Sequence, residues 1–420
     1  MLKEADMDVK SFHRIGITEK LAAAFVAFCV YVFILLMFAG KFSTVKSFAF
    51  YLPLGFWILW AFYRQELGFN WKEPVFICLN VLSLSGMLSC FANMDYISAI
   101  IMFKKSYLKL IALYAVISTI FFDIDRLKRL TNIMAYVGVL YLISAFIYIL
   151  KSLIELGSID YMAVRYYATI LLYFIPFIFY KYVNAEDVRK RYWLIASTLS
   201  VLALFIISVR GSLLGLAGVA AVWMWFMKDS FSIRRTIIVR IVPVFISLVI
   251  IVFLVFPSQY HLVKGHLFAM IQISLRLEVW SNFLLMSKER LIIGRGLDDD
   301  AMVHDYNEYF YSINKRYPSV TEPLDPTSPH NQFIKILYQQ GIVGFLSYLA
   351  LIFLIIYRVG ARIGRFNTKR YSTIGITLVS ALVGEFVIRT LFEDRSLLHF
   401  GVLTAMAGAY IALIKENVSS

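Results

Sequence analysis

Long apolar runs separated by short basic connections dominate this chain of 420 residues. They fall at about 21–40, 47–63, 75–92, 106–122, 133–150, 166–183, 192–209, 212–227, 238–256, 333–357, 372–390 and 396–414. Each is close to the roughly 20 residues that carry a helix across a hydrocarbon layer of about 30 Å. A membrane β-barrel would alternate apolar and polar positions, whereas Phe25 to Phe38 and Leu248 to Phe256 are apolar throughout. The pattern therefore predicts an all-α polytopic membrane protein with about 12 transmembrane helices. It divides into a cytoplasmic tail (1–20), helices 1–9 (21–256), a large loop (257–332), helices 10–12 (333–414) and a second tail (415–420). No small-residue cleavage site follows the first run, which reads as a retained signal anchor.

Composition supports lipid as the solvent. Hydrophobic residues make up 60% of the chain and charged residues only 16%, with a mean hydropathy of +0.74. A net charge of +14 would suggest nucleic acid for a soluble protein, but in a membrane protein basic loops set topology and meet anionic headgroups, so no nucleic-acid partner is expected. If the N-terminus is cytoplasmic, the inside loops carry Arg64, Lys72, Arg126, Lys128, Arg129, Lys181, the Arg189–Arg191 cluster, Lys228, Arg234, Arg235, Arg240 and the basic residues from Arg358 to Arg370. These outnumber the outside set of Lys41, Lys46, Lys104, Lys105, Lys109, Lys151, Arg165, Arg210, Arg389 and Arg395. Both termini are thus expected in the cytoplasm, and the loop 257–332 on the other side, the periplasm of a bacterium. Cys29, Cys78 and Cys90 lie in or beside apolar runs without metal or redox spacing and read as small core residues.

The loop has structure of its own. Leu275, Val279, Phe283 and Met286 recur at helical spacing, as in an amphipathic helix lying on a membrane surface. A Gly294–Gly296 turn and the acidic run Asp298–Asp300 follow; divergent neighbouring carboxylates at a solvated tip fit that run better than a metal site does, and no metal or cofactor is expected. Tyr306, Tyr309 and Tyr311 are candidates to stack on sugar rings. Pro318, Pro323, Pro326 and Pro329 exclude regular helix up to Asn331.

Arg210, Arg276 and His330 all belong to the outer side in this topology. Alone, an arginine at a span end can simply snorkel, and a histidine at a helix start can be a cap. Together on one aqueous face they form a chemical unit. Guanidinium forks bind phosphate oxygens and keep their charge, which suits a diphosphate that is held and then released. An imidazole can take a proton from a hydroxyl. Glu393, Asp394 and Arg395 read as a salt-linked rim after Arg389.

Three stretches resemble, in order and spacing, motifs of the O-antigen ligase and Wzy-type polymerase superfamily. Ser208–Gly218 (SVRGSLLGLAG) is similar to its arginine motif at a span end. Leu275–Gly296 (LRLEVWSNFLLMSKERLIIGRG) is similar to its Arg-x-x-x-Trp segment running into a Gly-x-Gly turn. His330–Gly344 (HNQFIKILYQQGIVG) is similar to its His-Asn motif followed by Gly-x-x-Gly. The resemblance implies a metal-independent, inverting glycosyltransferase of the GT-C class in the bacterial inner membrane, acting on the periplasmic face. Its donor would be a glycan linked to undecaprenyl diphosphate and its acceptor lipid A-core. His330 would be the catalytic base, Arg210 and Arg276 would hold the diphosphate, and Asn331, Arg165 and Arg389 are secondary candidates. The alternative is a repeat-unit polymerase, whose acceptor is a second carrier-linked glycan. The eleven-residue step from arginine to glycine of some polymerases is not met, since position 221 is Ala, which favours ligase. A lipid-linked glycan flippase or transporter is a further reading. It would need paired charges deep in several spans, and only Glu385 and a few span-end cations qualify.

Overall fold

The computed structural model describes residues 17–39, 42–65, 67–156, 161–207, 209–227, 270–314, 328–363, 369–393 and 396–418. Among them every regular element is helical. They fall into two compact units, Met1–Gly68 and Phe69–Ser420. In the first, α1 (Ile17–Leu36) and α2 (Ser43–Arg64) form a hairpin. Its rings interlock, with Phe25 edge-on to Phe56 at 5.7 Å and Phe33 at 5.6 Å from Phe50. Such contacts add to simple area burial.

The second unit holds α3 (Pro74–Asn93), α4 (Tyr96–Phe103), which passes through a π-helical turn into α5 (Lys109–Ile120), α6 (Ile124–Leu156), α7 (Tyr161–Asn184), α8 (Asp187–Ile207) and α9 (Arg210–Phe226). After the undescribed stretch come α10 (Met270–Lys288), α11 (Asp299–Asn314) and α12 (Gln332–Ile363). Then α13 (Lys369–Ala381) continues through a π-helical segment, Leu382–Ile388, into the 3-10 turn Arg389–Leu391, and α14 (Leu397–Val418) closes the chain. Helix covers each run expected from the sequence except 238–256, which lies outside the described residues. Among the described residues, seven helices are long and apolar enough to cross a membrane.

Helix α6 shows what the apolar excess is for. Leu140, Ile143, Ile147, Leu150 and Ile154 are exposed at steps of three and four, one continuous face, while Met134, Val137, Leu142, Ala145 and Ile149 are buried on the other. A stripe of this kind is the wrong way round for water and the right way round for lipid.

Two features place α10 and α11 against α12. The first is a break in α12 at Gly341, whose φ of 68° and ψ of −167° are not helical. A straight helix would separate Phe333 from Tyr348 by roughly 22 Å, yet their ring centroids lie 5.8 Å apart, so the first part of α12 folds back on the second. The turn after α10 fills the break. Arg295 N and Gly296 N donate to the carbonyls of Tyr338 and Gln339 at 2.9 and 3.0 Å, and Ile342 N donates to Leu291 O at 2.7 Å. Backbone groups freed by the break are thereby satisfied. Side chains of α3 seal the junction: Ser89 Oγ donates to Gln339 O, and Asn93 Nδ2 donates to Gly294 O at 3.1 Å.

The second is a small core formed by Val279, Phe283 and Met286 of α10, Met302 and Tyr306 of α11, and Ile334 and Tyr338 of α12. The face of α10 expected to rest on a membrane surface is thus turned towards protein. Tyr306 corrects another expectation. It is fully buried, stacked on Phe283 at 5.0 Å and hydrogen-bonded by Asn282, so it cannot receive a sugar. Tyr309 packs against the same core, and the Tyr311 side chain lies outside the described residues. Burial also pushes the Tyr306 phenol above its ordinary pKa. Asp298–Asp300 is the start of α11 rather than a loop tip: Asp298 accepts from Asp300 N at 3.0 Å, and Asp299 pairs with Lys335 at 2.9 Å. Pro318, Pro323 and Pro326 lie outside the described residues.

A Cβ at Gly341 would overlap the Ile292 carbonyl, and the positive φ adds strain. Gly341→Ala should therefore cost about 1–3 kcal/mol, read as a lowered thermal midpoint of the detergent-solubilised protein. Gly55→Ala, inside α2 where nothing lies within 4 Å of the added carbon, should leave the midpoint unchanged or raise it slightly. Equal midpoints for the two variants would contradict the proposed role of the break.

Candidate active site

The turn that ends the α13 segment gathers the motif residues. Three consecutive residues accept hydrogen bonds from three other parts of the chain. Asn331 Nδ2 donates to Leu391 O at 3.2 Å. Arg276 Nη1 donates to Phe392 O at 3.3 Å. Arg165 Nη2, from the start of α7, donates to Glu393 Oε1 at 3.2 Å. A fourth bond ties two of these segments directly, from Trp280 Nε1 to Pro329 O at 2.9 Å. The Arg-x-x-x-Trp spacing thus puts both side chains one helical turn apart, one gripping the 391–393 turn and the other the loop that carries His330.

Helix α9 reaches the same turn through its glycines. A Cβ at Gly211 would stand 3.3 Å from Phe392 Cβ and 3.5 Å from Arg389 Cγ. One turn on, a Cβ at Gly215 would clash with the Gly384 carbonyl. Small residues let two membrane helices approach this closely. The backbone of Arg210, first residue of α9, is therefore adjacent to the turn; its side chain lies outside the described residues.

Beneath the turn is a buried ion network. Arg389 has no solvent exposure. Its Nη2 donates to Glu393 Oε2 and to Thr169 Oγ1, both at 2.7 Å, and its Nη1 reaches Glu385 at 3.3 Å. Arg165 completes the group through Glu393. Two arginines face two glutamates, so charge is balanced inside the network, and Arg389 is occupied there rather than presented to a ligand. The third nitrogen of Arg389, Nε, has no hydrogen-bond partner among the described residues.

His330 is partly exposed, and its φ of 49° lies in the left-handed region, uncommon outside glycine. Ser328 explains part of this. Its Oγ accepts from His330 N at 3.1 Å and lies 3.3 Å from His330 Nδ1, so one hydroxyl orients both backbone and ring. The next residue has a different job. Asn331 Oδ1 accepts from Phe333 N and Ile334 N at 3.0 and 3.2 Å, an N-cap of α12, while its amide holds Leu391 O.

Of the residues singled out from the sequence, His330, Asn331, Arg276, Arg165 and Arg389 are brought to one locality, with the backbone of Arg210 beside them. The sequence reading missed the network under the turn. Its signal was present: Glu385, Arg389 and Glu393 stand at successive four-residue steps in an otherwise apolar stretch, and such side chains share a helix face. Ser328 and Thr169 gave no signal.

Residues 195–349 match a family model described as O-Antigen ligase. That interval contains Arg210, Arg276 and His330, and it supports the superfamily of O-antigen ligases and Wzy-type polymerases, enzymes that act on lipid-linked glycans. A protein of Haemophilus influenzae, described as an uncharacterized protein, is 23% identical over 255 residues, which cover 58% of this chain and 60% of that relative. The chain therefore matches about three-fifths of that relative's length.

A fully buried guanidinium between two carboxylates should be costly to remove. Arg389→Met is expected to lose about 3–5 kcal/mol of stability, and adding Glu385→Gln should recover part of it by removing an unpaired buried charge. Thermal midpoints of the two variants in detergent test this; a double variant less stable than the single would contradict the pairing.

Proposed function

We propose that this protein is an O-antigen ligase of the inner membrane, moving a polysaccharide from undecaprenyl diphosphate to lipid A-core on the periplasmic face by an inverting, metal-independent, GT-C-type transfer. The observation that carries the reading is the shared anchor: the segments bearing Arg276 and His330 are both hydrogen-bonded to the turn 391–393, and α9 begins against it.

In this reading an acceptor hydroxyl oxygen attacks the anomeric carbon of the donor sugar. The bond from that carbon to the diphosphate oxygen breaks, and its electron pair leaves with the carrier. His330 takes the hydroxyl proton. If its Nδ1–H donates to Ser328 Oγ, Nε2 carries the lone pair that the base needs. Arg276 and Arg210 hold the diphosphate and stabilise the negative charge that grows on the leaving oxygens. This charge develops in the transition state, so fixed cations act on the rate as well as on binding. The start of α9 adds a weak positive field from its helix dipole at the same place.

Within the superfamily, the acceptor separates ligase from polymerase. Alanine at position 221 supports the ligase. A purified-component assay with one defined donor and the two acceptors offered separately decides between them. Product on lipid A-core supports the ligase, and product on a second carrier-linked glycan alone replaces it with the polymerase.

His330→Ala is expected to lower turnover by about 10²–10⁴-fold while undecaprenyl diphosphate still binds. Turnover within a factor of a few of wild type would remove His330 from the role of base.

A further inference from the structure

We infer that the ends of α6, α7 and α8 remote from the candidate active site bind the headgroup of an anionic phospholipid, with Lys181 at the centre of the site. The inference does not depend on the proposed function, and its residues lie outside the segment matched by the family model.

The site is built around one ammonium group. Lys181, near the end of α7, has its Nζ 5.1 Å from the ring centroid of Tyr136 in α6 and 5.4 Å from that of Trp193 in α8. The two rings meet edge to face, with centroids 5.3 Å apart and planes at 61°, and so flank the cation. Such contacts hold an ammonium in place without cancelling its charge. Among the described residues no carboxylate pairs with Lys181, which is only half-buried.

The same contacts fix the register of the three helices and gather further cations. Arg129 precedes Tyr136 by two turns of α6, and Arg189 precedes Trp193 by one turn of α8. Each therefore shares a helix face with the ring that follows it, and both are exposed. Lys128, Lys190 and Arg191 adjoin them in sequence. Against these cations stand Asp125, Glu186 and Asp187, while Asp123 is taken by Arg126 at 2.9 Å. The start of α13, joined here through Asn184 Nδ2 and Thr373 Oγ1 at 3.1 Å, brings no acid in its first turn. This end of the bundle thus carries a positive excess.

The apolar surface beside the cations identifies the anion as a lipid. Tyr136 is 51% exposed and continues, one turn earlier, the outward stripe of α6 that runs on through Leu140. Arg129 extends that stripe beyond the ring. Apolar side chains thus give way to an aromatic and then to a cation, the order of acyl chain, interface and headgroup. On α8, Tyr192 and Ile195 are exposed on either side of Trp193. A molecule that covers this surface has an acyl chain for Leu140 and Ile195 and a phosphate for Lys181, and a basic cluster at the boundary selects an anionic headgroup over a zwitterionic one. Arg165 and Lys181 stand towards opposite ends of α7, roughly 24 Å apart along its axis. The lipid therefore belongs to the leaflet opposite the candidate active site.

The experiment uses full-length protein in detergent, with phosphatidylglycerol as the anionic probe and phosphatidylethanolamine as the zwitterionic one, and reads bound lipid by native mass spectrometry. Wild type is expected to retain phosphatidylglycerol in preference. Lys181→Gln should bind it about fivefold more weakly, and Arg129→Gln with Arg189→Gln on the order of twentyfold more weakly. Binding of phosphatidylethanolamine should be the same in all of them. Lys181→Arg keeps the charge and should recover most of the affinity, and Lys288→Gln, which removes an exposed cation from α10, should change nothing. Where Lys181→Gln does not fold, the pair of exposed arginines gives the same comparison. Phosphatidylglycerol binding by the folded variants equal to wild type overturns the inference, as does an equal loss in Lys288→Gln or a wild type that holds both lipids alike. A lowered thermal midpoint in Lys181→Gln with the lipid preference intact also overturns it, since the ring contacts would then serve packing alone.

Discussion

A charged side chain sealed inside an apolar bundle has to be neutralised where it stands, and Arg389 sets that condition for everything around it. Its burial fixes Glu385 one turn before it and Glu393 one turn after, and Thr169 supplies a hydroxyl from α7. Breaking one partner of such a group leaves an uncompensated charge in low dielectric, at a cost that is a large fraction of the whole stability of many domains. The chain therefore cannot move the turn 391–393 without dismantling the network beneath it. Rigidity at this point is inherited by whatever the turn holds, which here means the loop of His330 and the guanidiniums of Arg276 and Arg165.

Irregular helix serves the same end. From Leu382 the α13 helix widens to π geometry and then tightens to a 3-10 turn at Arg389. Such departures leave carbonyls without partners in their own helix, and those of Leu391 and Phe392 accept side chains from elsewhere. The break in α12 at Gly341 works likewise, offering the carbonyls of Tyr338 and Gln339 to the turn that follows α10. Non-helical backbone survives in a membrane protein only where protein satisfies it. Here each irregularity marks a place where one helix is fastened to another, and two of these fastenings, at Gly341 and at residues 391–393, bracket the segment that begins with His330.

The helices were legible because lipid demands long apolar runs, and the α10 face of Val279, Phe283 and Met286 followed from its spacing. What that face meets was not legible. Period alone says that a stripe is buried, and says nothing of whether lipid or Tyr306 and Ile334 bury it. Tyr306 misled for a related reason, since an aromatic in a polar segment between spans is equally suited to a sugar and to a small core, and only the partner Phe283 distinguishes them. In the site, Arg210, Arg276 and His330 could be singled out because their chemistry is rare in such surroundings. Ser328 and Thr169 could not, because a hydroxyl is ordinary in any helix or loop, and its role comes from the neighbour it happens to face.

The division of labour among the arginines follows from burial rather than from sequence. Arg389 and Arg165 share one carboxylate, Glu393, at 2.7 and 3.2 Å, yet the first is enclosed and the second is open to solvent. An enclosed cation with two carboxylates has its field cancelled within a few ångströms, so it contributes shape. A cation at the rim of the same group keeps its contact with water, so its pairing with Glu393 is screened and worth correspondingly less. Sharing Glu393 between the two therefore joins a buried ion pair to a surface one, and the start of α7, which carries Arg165, is tied to the turn that the enclosed network fixes.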